Sequence, residues 1–216
     1  MIKDTFIHAI QEGNIETVQF GLSENPSLIN TKTEQGLSIF LLAMYYRKND
    51  IVNVLLENKN EFDFFEAAAA GQLDFVKKRL EDQPAILNQY AVDGFTALGL
   101  SCFLNQKEIA SFLLEKGADP NIASNNDFKV TPLHSAAAIS QIEIVNILLE
   151  NGANANAKQS SGVTALHSAA HNGTIEIVKL LLQNGADKNV KTQDGKSVLD
   201  FAKEGGFTET VDLLTK

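Results

Sequence analysis

The sequence predicts an all-α protein built as a solenoid: helix–turn–helix units stacked in a row and joined by short β-hairpin loops. Three echoes along the chain predict it. Thr131-Pro132-Leu133-His134-Ser135-Ala136-Ala137 returns 33 residues later as Thr164-Ala165-Leu166-His167-Ser168-Ala169-Ala170. Ile144-Val145-Asn146-Ile147-Leu148-Leu149 returns as Ile177-Val178-Lys179-Leu180-Leu181-Leu182. Gly117-Ala118-Asp119-Pro120-Asn121 returns as Gly152-Ala153-Asn154-Ala155-Asn156 and again as Gly185-Ala186-Asp187-Lys188-Asn189. A fixed period of this length marks a repeat architecture, in which each unit buries its apolar face only against its neighbours.

Each element follows in order from residues 164–189. Thr164 is placed as an N-cap, its hydroxyl able to accept from an amide of the first turn. In the sister copy Pro132 sits at the first helical position, where its missing N–H costs nothing. Leu166, Ala169 and Ala170 give a short inner helix an apolar face, and the paired alanines let inner helices approach closely. Gly173 supplies a left-handed stop. Thr174 begins an outer helix whose Ile177, Val178 and Leu180 to Leu182 are too apolar for one short partner. Gly185 ends it, and Asp187 and Asn189 open a turn-rich loop up to Gly195.

Aligned on the position of Leu166, the units fall at Phe6, Phe40, Phe64, Leu98, Leu133, Leu166 and Leu199. These seven units lie near 4–33, 34–62, 63–90, 91–123, 124–157, 158–191 and 192–216 of one uninterrupted domain. Residues 6–56 and 64–114 read as a duplicated pair offset by 58. Between Leu56 and Phe64 there is room for only a turn, so the hairpin between units two and three is expected to be missing. Two extra residues before Thr131 are expected to bulge the fifth unit's loop. The polar Gln11, Glu12, Glu16 and Gln19, and Asp200, Lys203, Glu204, Glu209, Thr210 and Asp212, assign the first and last units as caps that face water on one side.

The Thr-Pro-Leu-His and Gly-Ala-Asp sequences at 33-residue spacing resemble the ankyrin repeat, strongly over 94–206 and more divergently over 1–93. The resemblance implies a concave groove, lined by inner helices and hairpin tips, in which another protein docks. It implies an adaptor, scaffold or inhibitor acting stoichiometrically, with a monomer as the default state. The variable groove positions of such a repeat are the hairpin residues flanking the glycine before the Thr and the two residues before the interhelix glycine. Here they place Tyr45, Tyr46, Phe95, Phe103, Leu104, Phe128, Ile139 and Val163 along the groove, with His171 and Asn172 at its rim. Aromatic residues facing water without a stacking partner are costly unless a partner covers them. A second reading has Tyr45, Tyr46 and Phe103 folding back over the gap left by the missing hairpin. A passive spacer predicts polar groove positions throughout, which is not the pattern in units two, four and five.

Composition narrows the rest. The formal net charge of −9 speaks against a protein built to grip nucleic acid or an anionic membrane. The basic run Lys77-Lys78-Arg79 reads as a solvated helix face. Cys102 is the only cysteine, so no intrachain disulfide forms; it aligns with the packed Ala170 and fits a reducing, cytoplasmic setting. The opening residues lead into no apolar stretch of signal-peptide length, and no run approaches the ~18 apolar residues of a membrane span. His167 and His171 have a metal-ligand spacing, but no third ligand lies near at motif spacing. The resemblance instead gives the histidine of Thr-x-Leu-His a hydrogen bond within its own turn. Neither Ser135 nor Ser168 has a nucleophile elbow or a triad, and there is no phosphate loop. No enzyme, cofactor or metal is expected. Asn172-Gly173-Thr174 matches a glycosylation sequon but sits at a tight interhelix turn, where it reads as a cap.

Overall fold

The computed structural model describes residues 3–215, so Met1, Ile2 and Lys216 at the limits of the first and last units lie outside the described residues. Fourteen α-helices among the described residues form seven antiparallel pairs. The inner layer consists of α1 (Lys3–Glu12), α3 (Ile39–Tyr45), α5 (Phe64–Ala70), α7 (Ala97–Phe103), α9 (Pro132–Ala138), α11 (Ala165–Asn172) and α13 (Val198–Gly205). The outer layer consists of α2 (Ile15–Glu24), α4 (Asn49–Asn58), α6 (Leu73–Asp82), α8 (Lys107–Glu115), α10 (Ile142–Glu150), α12 (Ile175–Gln183) and α14 (Thr208–Thr215). Each inner helix packs on its outer partner and on the next inner helix.

The aligned apolar positions carry the stack. Phe6, Phe40, Phe64, Leu98, Leu133 and Leu166 are buried, and Leu199 is half-buried. Ala136, Ala137, Ala169 and Ala170 are wholly covered, as close packing of short helices requires. The histidines act as N3 caps: Thr131 N–H donates to His134 Nδ1 at 3.2 Å, and Thr164 N–H donates to His167 Nδ1 at the same distance. The Gly-Ala-Asp-x-Asn segment does more than turn. Asn121 Nδ2 donates to Gly152 O (3.0 Å) while its Oδ1 accepts from Asn154 N–H (2.8 Å). Asn156 repeats this with Gly185 O and Asp187 N–H, both at 2.8 Å. Each turn is thereby tied to the next.

Hairpins with antiparallel bridges stand at Lys32–Ser38, Tyr90–Thr96 and Lys191–Ser197. The fifth unit's loop bulges as expected, with Lys129 in left-handed backbone at φ 55° and Ser124 N–H bonded to Val130 O. Between units two and three no bridge forms, and the chain crosses in a short loop at 59–63. Phe62 plugs this junction from inside. Its ring meets Phe40 of α3 edge-on at 5.6 Å and Phe75 of α6 at 5.3 Å. The loop itself is fastened to unit three: Lys59 Nζ pairs with Glu66 at 3.3 Å, both side chains buried, and Arg79 Nε donates to Phe62 O. The junction is nonetheless the sparsest in the stack. α4 and α6 barely meet, and α3 touches α5 over the smallest inner-layer contact.

Two surface expectations are corrected. Thr210 was expected to face water, but it is 1% exposed, because α14 turns Thr210 and Leu214 together onto the stack. Within Lys77-Lys78-Arg79, Arg79 is turned inward by its bond to Phe62 O, leaving the two lysines exposed.

Two glycines differ sharply in what they tolerate. Gly185 is left-handed, at φ +80°, with open space around a Cβ, so alanine there meets only backbone strain of about 1–2 kcal/mol. Gly205 lies in α13 where it crosses α11, and a Cβ there would stand 2.2 Å from His171 O. Gly205→Ala must push two backbones apart and is expected to cost at least as much, about 1–3 kcal/mol and occasionally more. Urea unfolding of the two variants checks the order; a Gly205→Ala midpoint equal to the parent's contradicts the close crossing.

Candidate protein-docking groove

The C-terminal ends of the inner helices and the hairpin tips bring the sequence-predicted positions to one side of the stack. They fall into two sets. Tyr45, Phe103 and Phe95 form a row of rings: Tyr45 lies 6.0 Å from Phe103, and Phe103 stacks on Phe95 at 6.3 Å and 23°. All three are half-buried. The row passes from unit two to unit four across unit three, whose Ala69 and Ala70 offer no side chain to fill the space. The Tyr45 hydroxyl donates to Asp93 Oδ2, on the hairpin that follows unit three. Burial, then the Asp93 charge and hydrogen bond, push the Tyr45 phenol far above its ordinary value. The flanking hairpins close together, since a Cβ on Gly36 would meet Val92 at 3.3 Å. Tyr45, Phe103 and Phe95 thus pack on one another, and Tyr45 on Asp93, across the alanines of unit three. The expectation that these rings stand free in water is corrected.

The second set is open. Tyr46 is 49% exposed and Phe128 is 67% exposed. The backbone of Phe128 is bonded on both sides: its N–H donates to Asn126 Oδ1 at 3.1 Å and its carbonyl accepts from Ser160 N–H at 3.0 Å. Leu104, Ile139 and Val163 are half-buried. His171 is exposed, with its ring 6.2 Å from Phe201. Asn172 is half-buried and donates to Ala138 O at 2.9 Å, so it caps the end of α9. Val92, 60% exposed at a hairpin tip, is a position that sequence reasoning missed. It stands two residues before Gly94, outside the flanking positions that were considered, and only the closed gap brings it near unit one's hairpin.

The interhelix turns add a signal of their own. Units one, three, six and seven turn through left-handed glycine, at Gly13, Gly71, Gly173 and Gly206. Units two, four and five turn through Arg47, Asn105 and Ser140, at φ 53°, 59° and 59°. Side chains other than glycine are strained there. These are the units that carry the apolar groove residues other than Val163.

The remaining candidates are structural. His167 faces inward as a cap, so it does not pair with His171 around a common point. Among the described residues, no three His, Cys, Asp or Glu side chains stand together as a metal-ligand set. Burial pushes the Cys102 thiol up to about 12. Among the described residues, no helix is long and apolar enough to cross a membrane.

Comparison with known sequences agrees with this architecture. Residues 64–159 match the family described as Ankyrin repeats (3 copies), and residues 148–202 match Ankyrin repeats (many copies). The chain belongs to the ankyrin-repeat family. It is 34% identical over 92 residues to Ankyrin repeat domain-containing protein 40 of Homo sapiens, covering 42% of this chain and 25% of that protein. It is 30% identical over 121 residues to Ankyrin repeat and SAM domain-containing protein 6 of Rattus norvegicus, covering 56% of this chain and 11% of that protein. Alpha-latrocrustotoxin-Lt1a of Latrodectus tredecimguttatus is 29% identical over 123 residues, covering 53% and 9%. The chain spans a quarter or less of the length of these relatives. Ankyrin repeats are generally protein–protein interaction modules.

Proposed function

We propose that this ankyrin-repeat chain is a cytoplasmic, monomeric protein-binding module whose partner docks on the groove of units two to five. It acts by stoichiometric occupancy, as an adaptor, scaffold or inhibitor, and not by catalysis. The observation that carries this reading is Phe128, an aromatic ring held in water on a backbone pinned at both its N–H and its carbonyl. A large apolar side chain fixed in solvent gains nothing for the free chain, whereas a covering partner removes it from water. Tyr46 supports it from unit two. Leu104, Ile139 and Val163 supply the apolar floor, with His171 at the rim and Asn172 holding that rim in place. Tyr45, Phe95 and Phe103 form the wall that keeps units two and four in register.

The test separates the two sets. A tagged chain is used to capture proteins from native cell extract, and the captured proteins are quantified by mass spectrometry. Tyr46→Ala with Phe128→Ala is expected to lose the captured partner while the thermal midpoint stays within about 2 °C, as for surface positions. Phe103→Ala is expected to lower the midpoint, because it opens the ring row. A partner retained by Tyr46→Ala/Phe128→Ala removes the groove from the proposal. A parent chain that captures nothing favours the passive spacer.

A further inference from the structure

We propose that the convex face, opposite the groove, carries a second binding site: a cleft that takes an acidic peptide segment presenting a large apolar side chain. The cleft lies between α6 and α8 beneath the 3-10 turn Pro84–Ile86, with a volume of about 430 Å3. Leu80, Pro84, Leu87 and Phe112 form its apolar surface. Lys77 and Lys116 stand at its rim, their ammonium groups 5.9 Å and 5.4 Å from the Phe112 ring centre. Neither lysine makes an ion pair among the described residues. Glu81 is the one carboxylate on the rim.

The chain contains its own control. The duplicated pair puts the equivalent place between α2 and α4, beneath the 3-10 turn Pro26–Asn30. That first turn packs on α3 and α4 and buries Leu28, which closes the place. The second turn packs mainly on α6 and buries none of its own residues, which leaves the cleft open. The side chains change with it. Gln19, Val54 and Asn58 of the first pair become Lys77, Phe112 and Lys116, offset by 58. The closed copy has a small, buried aliphatic residue and no charge. The open copy has an aromatic floor and two cations.

Those changes select the occupant. A cleft of this volume lies within the range of ligand pockets and takes one or two large side chains. Lys77 and Lys116 set two cations beside one aromatic floor on a chain of net charge −9, and they complement carboxylates flanking the inserted side chain. The exposed rim leaves an extended backbone outside the cleft, which fits a peptide better than a small molecule that must be enclosed on most sides. Glu81 disfavours a third carboxylate on its side and so fixes which way the acidic flank lies.

The test uses the intact chain and a displayed library of random dodecapeptides, with synthetic fluorescent copies of the enriched sequences measured by anisotropy. Enriched sequences are expected to carry Phe, Leu, Ile or Met beside Asp or Glu. Lys77→Gln/Lys116→Asn, which installs the residues of the closed copy, is expected to weaken binding about tenfold, and Lys77→Glu/Lys116→Glu further. Circular dichroism of both variants checks that the fold is kept. Tyr46→Ala/Phe128→Ala is expected to leave this binding unchanged, so failure of the groove reading and failure of this one are distinguishable. A library that yields no acidic, apolar sequences overturns the proposal. So do enriched peptides that bind both lysine variants as well as the parent.

Discussion

Phe62→Ala is expected to destabilise the chain by about 3–5 kcal/mol and to split its unfolding into two steps. The cost is that of deleting a buried aromatic ring whose site cannot collapse. Phe62 is 3% exposed and is wedged between Phe40 and Phe75. Elsewhere in the stack, loss of one ring leaves inner helices, outer helices and a hairpin to keep two units together. At this junction the hairpin is absent and α4 barely reaches α6. Without the plug, the thin α3–α5 contact, the Lys59–Glu66 pair, the hairpin approach at Gly36 and Val92 and the Tyr45 ring row are left to join units one and two to the rest. In a repeat array, cooperativity depends on such interfaces between neighbours. Hydrogen exchange along a urea series provides the check. Residues 15–58 are expected to lose protection at lower urea than residues 97–183 in Phe62→Ala, and together with them in the parent. A single transition at the parent's midpoint would contradict the role given to Phe62.

The second large effect is acid destabilisation through the buried capping histidines. Burial lowers the His134 pKa from 6.5 to about 4, against weaker opposing bonds from Val163 and Ala157 carbonyls. Burial also lowers His167. Above pH 6.5 the imidazole is neutral in both folded and unfolded chains, and the stability is fully present. Below pH 6.5 the unfolded chain binds the proton first, so stability falls until the folded ring titrates near pH 4. At about 1.36 kcal/mol per pH unit between 6.5 and 4, His134 alone loses about 3 kcal/mol, most of it by pH 4.5. Urea midpoints at pH 7.5 and pH 4.5 measure it. His134→Gln, which can still accept from the Thr131 amide, is expected to remove that part of the pH slope while costing little at pH 7.5. An unchanged slope in His134→Gln would locate the acid sensitivity in other groups.

The units were legible because each rests on local chemistry. Thr before Pro or Ala caps a helix, glycine stops it, and the apolar register from Phe6 to Leu166 repeats where the core is. Even the missing hairpin could be counted from Leu56 to Phe64. What occupies the gap could not, because Phe62 meets Phe40, Phe75 and Arg79, and Lys59 meets Glu66, only once two units are laid side by side. The groove shows the same limit. Its positions followed from the repeat register, but a register does not tell a free ring from a covered one. Tyr45 and Tyr46 are neighbours in sequence, and Asp93, 48 residues away, decides that one is held and the other open. Thr210 failed for a related reason: a polar residue on a cap helix was read by its chemistry, whereas the rotation of α14 set its burial.

The asparagine rungs make length a quantised property of this chain. The side-chain amides of Asn121 and Asn156 each bond to the next turn, 29 to 33 residues ahead. Such a rung senses nothing beyond its neighbour. In a chain with a whole copy of residues 158–190 inserted after itself, the copy's turn would lie 33 residues beyond the first copy's Asn189, the register that Asn121 and Asn156 already use. The stack would grow by one tread with no mismatch at either seam. An insertion of half that length leaves an amide facing the wrong loop on both sides. Growth and shortening of the scaffold are therefore graded in whole units, and the docking surface can change its span without any change in the rules that hold it together.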